Sequence, residues 1–282
     1  MSPSNMAIAQ NKYAFDSVKH IHYLTLENGE QKPLIGTTTA IGVLNKPLTW
    51  WASGMCAGVM GWANPKNVSK KELEDKASEA LASLQGMSLD KYLTLLNTAY
   101  RAHSVKKDTA ADQGVSLHSS IEDFIKNEIT GQAQFPLIDD RIKPFVEWAK
   151  TNQVKFVASE LHCYSEVLWA GGICDFLYYD KDGLLVLGDI KSSKEPYYSH
   201  WLQLGAYNTQ LLENGGFTPD GKNIFEAPKE IAYHSVFCAG KGLDKPFINR
   251  KTNETRRAFS YTINLYKEKI WWEDAKCVEK TK

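Results

Sequence analysis

At 282 residues the chain can form one large domain or two small ones, and 43% hydrophobic with 23% charged residues describes an ordinary globular protein. Lys and Arg together number 33, as do Asp and Glu, so net charge is zero and no global field attracts nucleic acid or membrane; a polyanion site must be a local patch. No apolar run reaches membrane-spanning length, no signal-peptide core stands at the N-terminus and residues 1–12 carry no arginine, so a cytoplasmic protein without a membrane partner is expected.

The first dozen residues read as a loose tail. Tyr13 to Leu26 alternates as a strand with His20 and His22 on one face; one unsupported His-x-His pair is more often surface than metal site. Asn28-Gly29 marks a turn. From Thr37 to Asn64 the chain is apolar and tryptophan-bearing, interrupted by Pro47 and ended by Asn64-Pro65. It predicts a short helix, a break, then a helix of roughly 15 residues from near Thr49. Ser69-Lys70-Lys71-Glu72 is a capping box opening another helix, and helical runs follow at Leu89–His103 and Asp108–Asn127.

A β-rich stretch begins near Lys155 and runs through Leu168. Tyr197 to Glu213 returns to helix, closed by Asn214-Gly215-Gly216. Glu230 to Cys238 has high β-propensity, and Phe259 to Lys276 suggests one strand and a final helix with Trp271 and Trp272. This order predicts an α/β fold, a mixed central sheet flanked by helices, with an N-terminal strand and helical region (1–110) packing on a core (111–282). The five cysteines, Cys56, Cys163, Cys174, Cys238 and Cys277, form no C-x-x-C pair and read as reduced thiols, not as a disulfide framework or zinc ribbon. There is no phosphate-binding Gly-x-x-x-x-Gly-Lys-Ser/Thr loop, so no ATP-driven motor is expected.

The densest chemistry lies in Gly171-Gly172-Ile173-Cys174-Asp175 and, after a β-rich run, Asp189-Ile190-Lys191. Ile173–Tyr179 and Leu184–Ile190 are strand-like, and Lys181-Asp182-Gly183 between them is a three-residue loop with glycine at its left-handed position. If Asp180 closes against Leu184, Asp175 falls opposite Asp189 on one sheet face, which Lys191 shares; Cys174 alternates away into the core. Two carboxylates so close repel unless a cation lies between them or one takes a proton. The apolar run Leu184-Leu185-Val186-Leu187 argues that this strand is buried on both faces, against a merely solvated hairpin.

Two further signals flank the hairpin. Gly114-Val115-Ser116-Leu117-His118 places a histidine on a helix, where such a residue is usually packing or surface. Gln203-Leu204-Gly205-Ala206-Tyr207 sets Gln203 and Tyr207 on one helix face, a pair that an amphipathic helix often supplies by chance. In order, Gly-x-x-x-His, Gly-x-x-Asp, Asp-x-Lys and Gln-x-x-x-Tyr resemble the motif series of the PD-(D/E)XK nuclease superfamily. Its RecB-type exonuclease branch is the nearest likeness, over about residues 110 to 215. Thr37–Ala63 and Ala99–Gly114 more diffusely resemble the helical entry segment of phage-encoded members.

The resemblance implies a restriction-endonuclease-like core and a metal-dependent DNA exonuclease of a bacterial or phage-infected cell, acting in recombination, repair or DNA processing. It makes His118, Asp175 and Asp189 metal ligands with the Ile190 carbonyl, and Lys191 the catalytic lysine. Gln203 and Tyr207 would organise the site or contact DNA. Glu160 matches a glutamate common on the preceding strand; the hairpin register puts it towards the far end of the strand from Asp175, where a structural salt bridge is as good a role. Carboxylate and carbonyl ligands suit one or two Mg²⁺ or Mn²⁺ ions. Cys238 and Cys277 alone lie downstream, too few for the iron–sulfur cluster of some relatives.

The implied partners are DNA, as linear ends or single strands, and a recombination or single-strand-binding protein. Arg101, Lys106 and Lys107, with His103, Lys126 and Lys143, are candidate DNA contacts, and Tyr100 or Trp50-Trp51 candidate stacking platforms; solvated helix faces and buried tryptophans are the plainer reading. Arg250-Lys251 with Arg256-Arg257 is a second phosphate-contact candidate. The alternatives are an endonuclease on the same fold, a non-cleaving DNA-binding partner protein, or an unrelated globular protein with chance motifs.

Overall fold

The computed structural model describes residues 11–44, 48–132, 140–239 and 242–274. Residues 1–10 of the expected tail, Pro47 and Cys277 lie outside the described residues. The chain divides into two compact units, Met1–Asn45 with Leu117–Lys282, and Lys46–Ser116. The expected boundary near residue 110 therefore takes another form: the first 45 residues group with the sheet.

Strands β1 (Tyr13–Asp16) and β2 (Ile21–Thr25) pair antiparallel, and β3 (Gln31–Pro33) pairs with β2. The single strand expected over 13–26 is thus two. Asp16 Oδ1 accepts from the Val18 and Lys19 amides, a turn that a short acidic side chain stabilises, and His20 there adopts φ +53°. His20 and His22 consequently do not share a strand face: His20 is exposed in the turn and His22 buried in β2. Strand β4 (Ile35–Gly36) leads into α1 (Thr37–Ile41).

The unit Lys46–Ser116 is helical. Helix α2 (Thr49–Val59) is shorter than expected. Helix α3 (Lys70–Leu84) opens on the expected capping box, Ser69 Oγ accepting from the Glu72 amide while the Glu72 carboxylate accepts from the Ser69 amide. Helix α4 (Leu89–Thr130) joins the two expected helical runs, since residues 104–107 contain neither proline nor glycine to break it. Its residues from Leu117 onward belong to the sheet unit.

In that unit α5 (Lys143–Thr151) precedes the meander β5 (Lys155–Ser165), β6 (Ala170–Tyr179) and β7 (Leu185–Lys191). Helix α6 (Tyr198–Asn214) follows, ended by Gly215 at φ +78° as glycine permits. Then come β8 (Gly216–Phe217), β9 (Asn223–Phe225), β10 (Tyr233–Cys238), β11 (Phe247–Asn249) and α7 (Thr252–Asp274). The sheet order is β11-β10-β7-β6-β5-β8-β9, with β4 beside β6; β10 is parallel to β7 and β4 to β6, and the other pairs are antiparallel. The fold is α/β with a mixed sheet.

Leu117, Ile121 and Ile125 of α4 and Phe145 and Trp148 of α5 pack with Phe176, Val186 and Phe237 of the sheet. Leu204, Tyr207 and Leu211 of α6 pack with Cys163, Cys174, Leu187 and Val236. The strand expected after Phe259 is instead part of α7. Phe259 and Ile263, one turn apart, pack on Leu202 and Ala206 of α6, so tertiary packing overrides the β-branched and aromatic composition. Among the described residues no helix is long and apolar enough to cross a membrane.

Candidate functional site

The β6–β7 hairpin closes as its residues predict. The Asp180 amide donates to the Leu184 carbonyl at 3.0 Å, Asp180 Oδ1 accepts from the Asp182 and Leu184 amides, and Gly183 takes φ +76°. Pairing runs from Tyr179 with Leu185 to Phe176 with Gly188, and β7 is buried from Leu185 to Ile190. Beyond Gly188 the ladder stops. Asp175 makes no backbone pair with Asp189; its Oδ2 accepts from the Ile190 amide at 2.7 Å.

The strand on the other side shows why. Glu160 lies between the pairs Ser159–Phe176 and Leu161–Cys174, hence across from Asp175 and not at the far end of the strand. It holds φ +51°, a left-handed conformation that costs a non-glycine residue about 1 kcal/mol or more. The facing pattern slips here: Cys174 and Leu177, three residues apart, pack in one cluster, where a regular strand would separate them. Such irregularities re-aim side chains, and this one collects carboxylates from two strands.

Asp189 is fully buried. Lys191 Nζ lies 2.8 Å from both its oxygens, with hydrogen-bond geometry to Oδ1 only; Oδ2 is buried without a hydrogen-bond partner. Burial pushes the Asp189 carboxyl up, Lys191 pulls it down and Asp175 pushes it up again; the net direction is upward. Burial works against the charge of Lys191, but Asp189 and Asp175 outweigh it and hold its pKa above the ordinary value. Glu160 is pushed up to about 7 by burial and then by Asp175 and Glu122, with Lys126 opposing. His118, half-buried on α4, places Nδ1 3.6 Å from Asp175 Oδ2, too far for a hydrogen bond. One turn on, Glu122 pairs with Lys126.

Helix α6 completes the site. Gln203 Nε2 donates to the Tyr207 hydroxyl at 2.7 Å, and the buried Tyr207 hydroxyl feels the charges of Asp175 and Asp189. Tyr207 reaches them because residue 172 is glycine: a Cβ there would stand 2.9 Å from Thr37 Oγ1 and 3.1 Å from Tyr207 Cδ1. The structure therefore brings together His118, Glu160, Asp175, Asp189, Lys191, Gln203 and Tyr207. Arg101, Lys106 and Lys107 belong to the helical unit, exposed on α4, as is Tyr100. Trp50 there is exposed too, not buried. Lys126 and Lys143 are paired with Glu122 and Asp140.

Residues overlooked in the sequence include Thr37, whose Oγ1 donates to the Gly171 carbonyl and accepts from Gln210 Nε2. Tyr13 is another: its hydroxyl lies 2.6 Å from His22 Nδ1 and 3.0 Å from His162 Nδ1 in a buried cluster. Neither carried a local signal, because each partner is more than a hundred residues distant or across an unforeseen turn.

The donors suit a hard divalent cation in kind: the buried Asp189 Oδ2 lacks hydrogen-bond geometry although Lys191 Nζ lies 2.8 Å from it, and the Asp175 carboxylate reaches the same end of β7. Among the described residues no three His, Cys, Asp or Glu side chains form a ready cage. Lys191 sits on Asp189, and the Ile190 amide engages Asp175. No family model matches the chain, and neither does any curated protein.

Proposed function

We propose that the chain is a metal-dependent DNA exonuclease with a RecB-type PD-(D/E)XK core, hydrolysing phosphodiester bonds in recombination, repair or DNA processing. The observation that carries this reading is the meeting of Asp175 and Asp189 with Lys191 at the end of a buried strand, with one Asp189 oxygen lacking any hydrogen bond. A structural ion pair needs one carboxylate for Lys191, whereas here a second, Asp175, held by the Ile190 amide, adds its charge to the same largely buried point.

His118, Asp175, Asp189 and the Ile190 carbonyl would hold Mg²⁺ or Mn²⁺, which when bound supplies Lewis-acid stabilisation of phosphate charge and a more acidic water. The protein's own part is positioning and electrostatics. Lys191, held protonated by two carboxylates, stabilises charge gathering on the phosphate and orients the attacking water. Glu160, close to half-protonated at neutral pH, can accept or return a proton opposite Asp175. Tyr207, buried and fixed by Gln203, sets its hydroxyl within the field of Asp175 and Asp189 and would help to orient the bound phosphate.

The test is digestion of end-labelled linear and covalently closed DNA, single- and double-stranded, with Mg²⁺, Mn²⁺ or EDTA, beside Asp189→Ala. Metal-dependent loss of linear DNA alone, abolished in the variant, is the expected result. Cutting of closed circles would make it an endonuclease. DNA binding without cutting would leave a partner protein.

A further inference from the structure

His200 is the third residue of α6, three before Gln203 and seven before Tyr207, so the three share one helix face. The Tyr207 end of that face lies by Asp175 and Asp189, and the His200 end lies within the field of Lys191. His200 Nδ1 accepts a hydrogen bond from the Tyr197 amide at 3.1 Å. A neutral imidazole nitrogen that accepts carries no hydrogen, so the ring proton resides on Nε2. Burial, then the charge of Lys191, lowers the imidazole to about 4, which keeps the ring neutral.

Among the described residues Nε2–H has no hydrogen-bond partner, although its ring is half-buried and packed against Tyr197 at 5.3 Å between centroids. On the helix face shared with Gln203 and Tyr207, in the first turn of a 17-residue helix, an Nε2–H donor whose ring is oriented by the Tyr197 amide suits an anionic acceptor. A second cation or a general base is excluded at this point, because the free nitrogen is the protonated one.

We propose that His200 is a phosphate-contacting residue of this site, its Nε2–H donating to a non-bridging oxygen of the nucleotide held against Lys191. The inference rests on the nuclease reading above. Its role is binding and orientation, not proton transfer, because a neutral imidazole holds its remaining proton too tightly to act as an acid.

Two variants separate this role from the helix cap. His200→Asn keeps an acceptor for the Tyr197 amide but is too short to reach the phosphate; His200→Gln restores a donor near the Nε2 position. We expect His200→Asn to lose about 10- to 100-fold in kcat/KM on single-stranded DNA, the range for one hydrogen bond to a charged group, with His200→Gln recovering most of it. In ¹H–¹⁵N spectra of the Asp189→Asn variant, His200 should show the Nε2–H tautomer, and its Nε2 resonance should shift on adding a short oligothymidylate. An Nδ1–H tautomer, an unshifted resonance with oligonucleotide bound, or a His200→Asn enzyme as active as wild type overturns the assignment alone. A wild-type protein that binds the oligonucleotide but never cuts overturns the nuclease reading, and the resonance still decides for or against His200. Absence of both binding and cutting overturns both.

Discussion

Gly172→Ala is a demanding perturbation because it touches the site without removing any of its chemistry. The new Cβ would stand 2.9 Å from Thr37 Oγ1 and 3.1 Å from Tyr207 Cδ1, and closer again to Cε1. Neither neighbour can retreat freely. Thr37 Oγ1 is held by the Gly171 carbonyl at 3.1 Å and by Gln210 Nε2 at 3.0 Å, and Tyr207 is 3% exposed with its hydroxyl bound to Gln203 at 2.7 Å. Overpacking of this kind costs about 1–3 kcal/mol. Losing the Gln203–Tyr207 hydrogen bond as the ring shifts adds about 1 kcal/mol. Urea denaturation followed by tryptophan fluorescence should therefore show Gly172→Ala about 2–4 kcal/mol less stable than wild type. In a Tyr207→Ala background the same substitution should cost about 1 kcal/mol or less, because the ring it strikes is gone. Equal costs in the two backgrounds, or no cost in either, would refute the claim that residue 172 is glycine to admit Tyr207.

Three other perturbations test the electrostatics and the local structure. Folded Glu160 keeps its proton to about pH 7 against an ordinary 4.5, so the folded state binds more protons in that window and loses stability as pH rises through it; Glu160→Gln should exceed wild type by about 1–3 kcal/mol at pH 8 and by little near pH 5, in urea titrations with EDTA. His22 and His162 run the other way, both lowered from 6.5 to about 4 by burial, so the unfolded chain takes protons the folded one refuses and stability falls as pH drops through that range. His22→Gln should lose less between pH 7 and 4 than wild type does, and an unchanged slope would remove His22 from the account. Ser69→Ala deletes the Oγ that accepts from the Glu72 amide, leaves the Ser69 amide's bond to the Glu72 carboxylate, and should cost about 1 kcal/mol of local helix stability, read from the urea dependence of circular dichroism.

What the sequence disclosed was the chemistry that is local. Loop 181–183, the hairpin register as far as Phe176 with Gly188, the capping box and the Gln203–Tyr207 spacing each depend on residues within one turn or one hairpin, and each stands where those residues put it. The illegible parts were long-range. Glu160 was misplaced because counting from the β6–β7 loop says nothing about where β5 begins to pair. The α7 segment looked like a strand because Thr262, Ile263 and Tyr261 favour strands, and only its packing against α6 decides otherwise. The merged α4 and the split β1–β2 follow from the same limit: a missing breaker and an Asp-stabilised turn are weak signals beside apolar periodicity.

The two glycines before Asp175 show how far a motif can be a packing device. Adjacent strand residues face opposite ways, and each glycine makes room for a different segment. A Cβ on Gly171 would stand 2.8 Å from His22 Cβ, and one on Gly172 would meet Thr37 and Tyr207. Strand β4 pairs with β6 at these same residues, Ile35 beside Ala170 and Gly36 beside Gly171. Segments that begin at residues 21, 35, 170 and 198 thus converge on one dipeptide. Neither glycine carries a group that could touch a substrate. Their contribution is to let Tyr207 and Thr37 pack on Gly172 on one side and His22 of β2 on Gly171 on the other. His22, Ile35, Gly36 and Thr37 therefore belong to the architecture around Asp175 through the backbone and packing they share with these glycines.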